Sequence, residues 1–275
     1  MSNEFLYRFI SPPGDVERYW ERLRLLVQDS KVQLSRPSRL NDPFDCKTLF
    51  SVTDATTDDL WEFLESTIIK YGGPQARVLA EAAMRVAESD PDRAIEHLRR
   101  RYTEFHVAEL DENGILCFFQ SPRDEYPEDL LMWAHYADGH RGFCVQFRKR
   151  VLTESFICKC VQYMDGYPTL KEVAAHEGEG LAELFLFRKS TRWSYENEWR
   201  LMALFTQTEQ GLLQLPSEAL SGVIFGCESD PSDCERILEW AQHRQGPPLS
   251  FFRARKHSEK YRITIQRAIE QPTKS

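Results

Sequence analysis

The chain contains no apolar run approaching the roughly 20 residues that a bilayer span requires. Its opening stretch, MSNEFLYRF, has neither the basic nor the apolar region of a secretion leader. A membrane protein and a secreted one are both unexpected, and a cytoplasmic setting is expected. Positive charge is not in excess: 35 Lys and Arg face 43 Asp and Glu, for a formal net charge of −8. That balance excludes a broad electrostatic grip on nucleic acid, although LRRRY and FRARKHSEKYR gather local positive charge. A regular cysteine framework is missing as well. Cys46, Cys117, Cys144, Cys158, Cys160, Cys227 and Cys234 make an odd set that suits a reducing compartment. Cys158-Lys-Cys160 has the wrong spacing for a zinc knuckle and no second pair beside it, so buried, inert thiols are expected. His135 and His140 are not placed as i, i+4 metal partners either. Internal repeats and low-complexity tracts are absent.

What the chain does have is the composition of an ordinary globular protein, 41% hydrophobic and 28% charged over 275 residues. LYRFI alternates as a first strand, and Trp20, Leu23, Leu26 and Val27 recur at helical spacing behind a candidate cap, Asp15. Residues of about 57–110 read as two or three helices, divided at Gly72-Gly73-Pro74 and at Ser89-Asp90-Pro91. Strand signals return in GILCFFQ, GFCVQF, CKCVQYM, RLMALF and GVIFG; a helix over 231–243 and the strands LSFFRARK and YRITIQRA follow. The expected fold is a single α+β domain over 1–275, with a mainly antiparallel sheet and a helical insertion.

Three polar-aromatic clusters stand out at strand ends and loops, where side chains can be presented to a cleft. In the first, Arg8 is followed by LSRPSRLNDPFD, whose Ser35 and Ser38 can bond a ribose or phosphate or simply cap a turn. Asn41-Asp42-Pro43 in that loop predicts an Asx turn. In the second, LLMWAHYADGHRGF, an aromatic helix carrying Trp133 and Tyr136 can stack on a planar ring, while His135 reads as a satisfied, partly buried side chain. The third is KSTRWSYENEWR. On a strand, Glu196 and Glu198 face one side and repel, with Lys189, Arg192 and Arg200 near enough in sequence to relieve them. Flanked by Trp193, Tyr195 and Trp199, that pair suits acid/base work or stabilisation of an oxocarbenium-like centre.

The motifs LSRPSRLNDPFD, GILCFFQ with LLMWAHYADGHRGFCVQF, and RWSYENEWRL occur in the order seen in the bacterial family catalogued as domain of unknown function 2971. The resemblance extends over roughly residues 5–230, and the family name carries no activity. More distantly, an early arginine, a serine-bearing strand and a Glu-x-Glu before a later strand resemble ADP-ribosyltransferases of the arginine–serine–glutamate type. LSRPS here replaces that group's Ser-x-Ser. The resemblance implies an ADP-ribosyltransferase-like fold with NAD as substrate, Glu198 catalytic and Glu196 its partner in acceptor choice. It also implies an NAD site formed by Arg8, Ser35, Ser38, Asn41, Trp133, Tyr136 and Tyr195. The expected activity is NAD-consuming transfer or hydrolysis, without a metal, and a stress, toxin or phage-defence role is compatible with it. Alternative readings are a metal-dependent nuclease using Asp42, Asp45, Glu196 and Glu198, and a non-catalytic ligand-sensing module.

Overall fold

Alternation in LYRFI sends Leu6 and Ile10 to one face of a strand and Tyr7 and Phe9 to the other, and both faces find cover. The computed structural model describes residues 4–11, 16–53, 55–64, 76–122, 126–176 and 178–269. In chain order the elements begin with β1 (Phe5–Ile10), α1 (Val16–Asp29) and β2 (Lys31–Gln33). Three helices follow, α2 (Thr57–Phe63), α3 (Ala76–Ser89) and α4 (Pro91–Leu110). Next come β3 (Asn113–Phe119), α5 (Leu130–Tyr136), β4 (Phe143–Arg148), α6 (Lys149–Ser155), β5 (Ile157–Cys160) and β6 (Gln162–Met164). α7 (Leu170–Ala174), α8 (Gly178–Leu186) and β7 (Arg188–Ser190) precede β8 (Glu198–Leu204). β9 (Leu212–Gln214), β10 (Leu220–Phe225), α9 (Pro231–Gln242), β11 (Ser250–Lys256) and β12 (Ile263–Ile269) complete the set.

The fold is α+β with a mainly antiparallel sheet. Eight strands run in the order β12-β11-β10-β4-β1-β3-β8-β5. β10 and β11 form a parallel pair within it, joined by the crossover helix α9, since parallel neighbours need a long connection. The chain divides into two compact units, one of 1–35, 114–161 and 194–275, the other of 36–113 and 162–193. The predicted helical insertion is therefore one of the two stretches that build the second unit.

In the first unit the sheet has two apolar faces. Leu6, Phe143, Val145, Phe147 and Val223 meet Leu23, Leu26 and Val27 of α1 and Ile237 of α9 on one side. Trp20 and Trp240 cross edge to face between those helices, with ring centroids 5.9 Å apart. On the other side Tyr7, Phe9, Cys144 and Ile224 meet Met132 and Trp133 of α5. Burial on both faces explains why GFCVQF and GVIFG are near-continuous apolar runs rather than alternating ones. The turn from α5 to β4 holds Asp138, Gly139 and His140 at φ of 49°, 59° and 69°, residue types that tolerate the left-handed region. Gly142 closes it, because a Cβ there would sit 2.2 Å from the Ile10 carbonyl oxygen.

In the second unit Phe50, Phe63, Tyr102 and Phe185 form an aromatic cluster with centroid spacings of 5.0–6.4 Å. Asp90 caps α4 through Arg93 N, with Pro91 in the first turn as expected. The predicted Asp15 cap and the Gly72-Gly73-Pro74 break lie outside the described residues. Cys46, Cys144, Cys158 and Cys234 are buried, and burial pushes the Cys158 thiol up to about 12. Cys160, on the outermost strand β5, is exposed, which corrects the expectation of uniformly buried thiols. Among the described residues no helix is long and apolar enough to cross a membrane.

Glu172 closes the capping box of α7 with Thr169 and receives the Arg188 guanidinium at 2.6 Å. The Arg188 hydrogen bond, opposed by partial burial and joined by the bonds from Thr169, holds its carboxyl down at about 2. A depressed value means stability that is present above the unfolded value of about 4.3 and is lost as pH falls toward the folded one. Its side chain is 37% exposed, so screening limits the contribution to about 1 kcal/mol. Glu172→Gln should melt lower than wild type at pH 6, and the gap should close by pH 2. Parallel melting curves across that range would contradict this assignment.

Candidate active site

The Glu-x-Glu segment does not run as a strand. Thr191–Glu196 is a 3-10 turn, Asn197 follows at φ 39°, and β8 begins only at Glu198. Strand alternation therefore does not apply to the two acids, and the expectation that they share a strand face is corrected. Both are nonetheless buried, at 4% and 5% exposure. Each has a separate partner in the first unit. Glu196 Oε1 accepts a hydrogen bond from the Tyr136 hydroxyl of α5. Glu198 accepts from Arg200, Nε to Oε1 at 2.7 Å and Nη2 to Oε2 at 3.0 Å. Arg200 is 1% exposed and lies two residues on in the same strand, hence on the same face.

Three neighbouring strands contribute to this polar line. Cys117 of β3 donates its thiol to Glu198, and burial together with the Glu198 charge raises the thiol far above its ordinary value. It is held protonated, so thiolate chemistry is excluded there. Arg8 of β1 donates Nη1 to the Cys117 carbonyl at 2.9 Å, and desolvation lowers its pKa. Arg8 is thereby tied to β3, the strand between β1 and β8 in the sheet.

The remaining expected residues divide. Tyr195 is half-buried, and its hydroxyl lies 3.5 Å from His135 Nδ1. His135 is exposed, not partly buried, which corrects the earlier reading. Trp133 is fully buried and donates Nε1 to the Pro127 carbonyl at 2.7 Å. His140 stacks on it and Phe9 meets it edge-on, so the face expected to hold a nicotinamide or adenine ring is occupied by the protein. Ser35 is half-buried and forms a backbone bridge with Ile115. Ser38 and Asn41 belong to the second unit. There Ser38 bonds Asp111 through its hydroxyl at 2.6 Å and its amide at 2.9 Å, while Asn41 is exposed.

Of the three bases named from sequence, Arg200 relieves Glu198, whereas Lys189 pairs with Asp45 at 3.6 Å. Arg192 is exposed. Asp42 forms the predicted Asx turn, accepting from Phe44 N at 2.9 Å. Among the described residues no three His, Cys, Asp or Glu side chains gather where they could hold a metal ion. Sequence reasoning missed Cys117, whose only signal was a polarisable residue inside the apolar run GILCFFQ.

Comparison with known proteins bears on the same region. Residues 132–201 match the model of the family described as "Protein of unknown function (DUF2971)". The resemblance to that family is shown over this stretch, which holds Tyr136, Tyr195, Glu196, Glu198 and Arg200. No curated protein and no solved structure matches the chain.

Breaking a buried ion pair strands the surviving charge, at a cost of about 3–5 kcal/mol, whereas replacing both partners with apolar groups costs far less. Arg200→Ala should therefore lower stability by about 3–5 kcal/mol. The double variant Glu198→Leu with Arg200→Met should recover most of that loss. Denaturant unfolding of the three proteins measures it, and a double variant no more stable than the single would refute the pair's independence.

Proposed function

We propose that the first unit cleaves the nicotinamide–ribose bond of NAD, as an ADP-ribosyltransferase or NAD glycohydrolase acting through Glu198 and Glu196. The observation that carries this reading is the pair of buried carboxylates, separated by a single residue, in different environments. Glu198 is clamped by a guanidinium and a thiol; Glu196 is bonded to a phenol. Neighbouring carboxylates placed in unlike surroundings are a means of dividing two chemical roles. Distant resemblance to the arginine–serine–glutamate group supports the same assignment.

When the C1′–N bond breaks, its electron pair leaves with the ring nitrogen and cancels the pyridinium charge, while positive charge develops at C1′. Glu198 is the group assigned to stabilise that centre. Arg200 fixes its rotamer through two parallel bonds. The acceptor forms the new bond at C1′ and gives up a proton, and Glu196 is assigned to receive it, with Tyr136 holding the carboxylate in place. The acceptor is a protein, a nucleic acid, a small molecule or water. A cytoplasmic stress, toxin or phage-defence effector role belongs to the same reading.

Nicotinamide release from NAD tests it. Wild type should release nicotinamide with EDTA present, and Glu198→Gln should lose about 100-fold or more in rate. Tyr136→Phe should lose about tenfold, with a shifted pH profile. Undiminished release by a folded Glu198→Gln protein would sink the assignment.

A further inference from the structure

A cavity of about 200 Å³ lies wholly within the second unit, between the 42–47 turn, the 164–168 segment and the stretch 184–190. It falls below the roughly 300–1,000 Å³ of sites for drug-sized ligands. A single ring fits such a volume; a dinucleotide does not.

Its charged wall includes the buried side chains of Asp42, Asp45 and Lys189. Lys189 is neutralised by Asp45 at 3.6 Å, and Arg188 by Glu172 at 2.6 Å. Asp42 differs from both acids. Only 8% exposed, it accepts one side-chain hydrogen bond, at Oδ1 from Phe44 N, and has no ion-pair partner among the described residues. A buried carboxylate carries about four acceptor positions and is costly to leave with most of them unused. Tyr167, also in the wall, has its phenol raised by burial and then by the Asp42 charge. Lys47, half-buried, adds a donor to the wall.

The rim points to a ligand independently. Phe44 is 70% exposed and Met164 41%, two of the eight large apolar side chains exposed on the described surface, and both line this one cavity. An aromatic ring and a flexible thioether left in water beside an underused acid are the components of a site for a planar polar ring.

We propose that this cavity binds a nucleobase-sized heterocycle bearing an amino or amide NH2 group. Its N–H donors go to the Asp42 carboxylate, a ring acceptor takes Lys47, and its face lies against Phe44 and Tyr167. The assignment rests on the second unit alone and does not depend on the chemistry at Glu198.

Calorimetric titration of the full chain with adenine, cytosine and nicotinamide tests this, with phenylalanine as a zwitterion of similar bulk. At least one heterocycle should bind, and phenylalanine more weakly. Asp42→Asn and Phe44→Ala should each weaken binding about tenfold or more. Phe44 is exposed, so Phe44→Ala should keep the wild-type melting temperature even if Asp42→Asn does not. Three results would overturn the proposal: no heterocycle bound at millimolar concentration, tighter binding of phenylalanine, or binding that Asp42→Asn and Phe44→Ala both leave intact.

Discussion

The ion pair between Glu198 and Arg200 is the constraint around which the sheet of the first unit is arranged. The two residues occupy one face of β8, while Leu201 and Ala203 on the other face belong to the core with α1 and α9. Neither charge can be left alone at such burial, because desolvating an ion costs several kcal/mol unless it is paired and hydrogen-bonded. Pairing within one strand meets this requirement locally, with two parallel bonds that fix both rotamers. The Cys117 thiol then adds a donor from β3, and Arg8 ties the Cys117 carbonyl to β1. Three adjacent strands are thus joined by side chains as well as by their backbone ladders.

The other carboxylate is positioned by a different device. A 3-10 turn ends at Glu196, and Asn197, at φ 39°, reverses the backbone before β8 starts. Asn is among the few side chains that accept this conformation at low cost. Gln120 N bonds the Asn197 carbonyl at 3.0 Å, which anchors the corner to the end of β3. The result is that Glu196 meets Tyr136 of α5 rather than lying in line with Glu198. Two acids separated by a single residue therefore acquire unlike partners, a phenol and a guanidinium, and that difference is the raw material for acid/base division.

Much of the scaffold was legible because its signals are local. Periodicity marked α1, alternation marked β1, and Asp90-Pro91 marked the start of α4. The site was legible in part. ENEWR identified two acids and a base, and Arg200 does serve Glu198. The geometry was not legible, because a single left-handed residue abolishes the period-2 rule on which the shared-cleft argument rested. Trp133 misled for a related reason: an aromatic beside a polar turn reads as a stacking platform, yet His140 of that turn folds back onto the ring. The links from Arg8 to Cys117 and from Asp45 to Lys189 join distant parts of the chain, and no local pattern encodes them.

Buried acids in the two units illustrate how partner number separates scaffold from site. Asp45 answers Lys189, and Glu172 answers Arg188 and the cap of α7; each charge is consumed by structure. Glu198 is equally well served, by the Arg200 fork and the Cys117 thiol. Asp42 retains more acceptor capacity, having only a turn amide to serve. If burial of an acid were purely architectural, capacity would track cost, and the acid without a cation would be the most exposed. Asp42 has no cation among the described residues and is still 8% exposed. A carboxylate kept dry without a partner is explained more economically by a ligand's N–H groups than by the fold, since the fold has no use for it beyond a turn that an asparagine would cap as well.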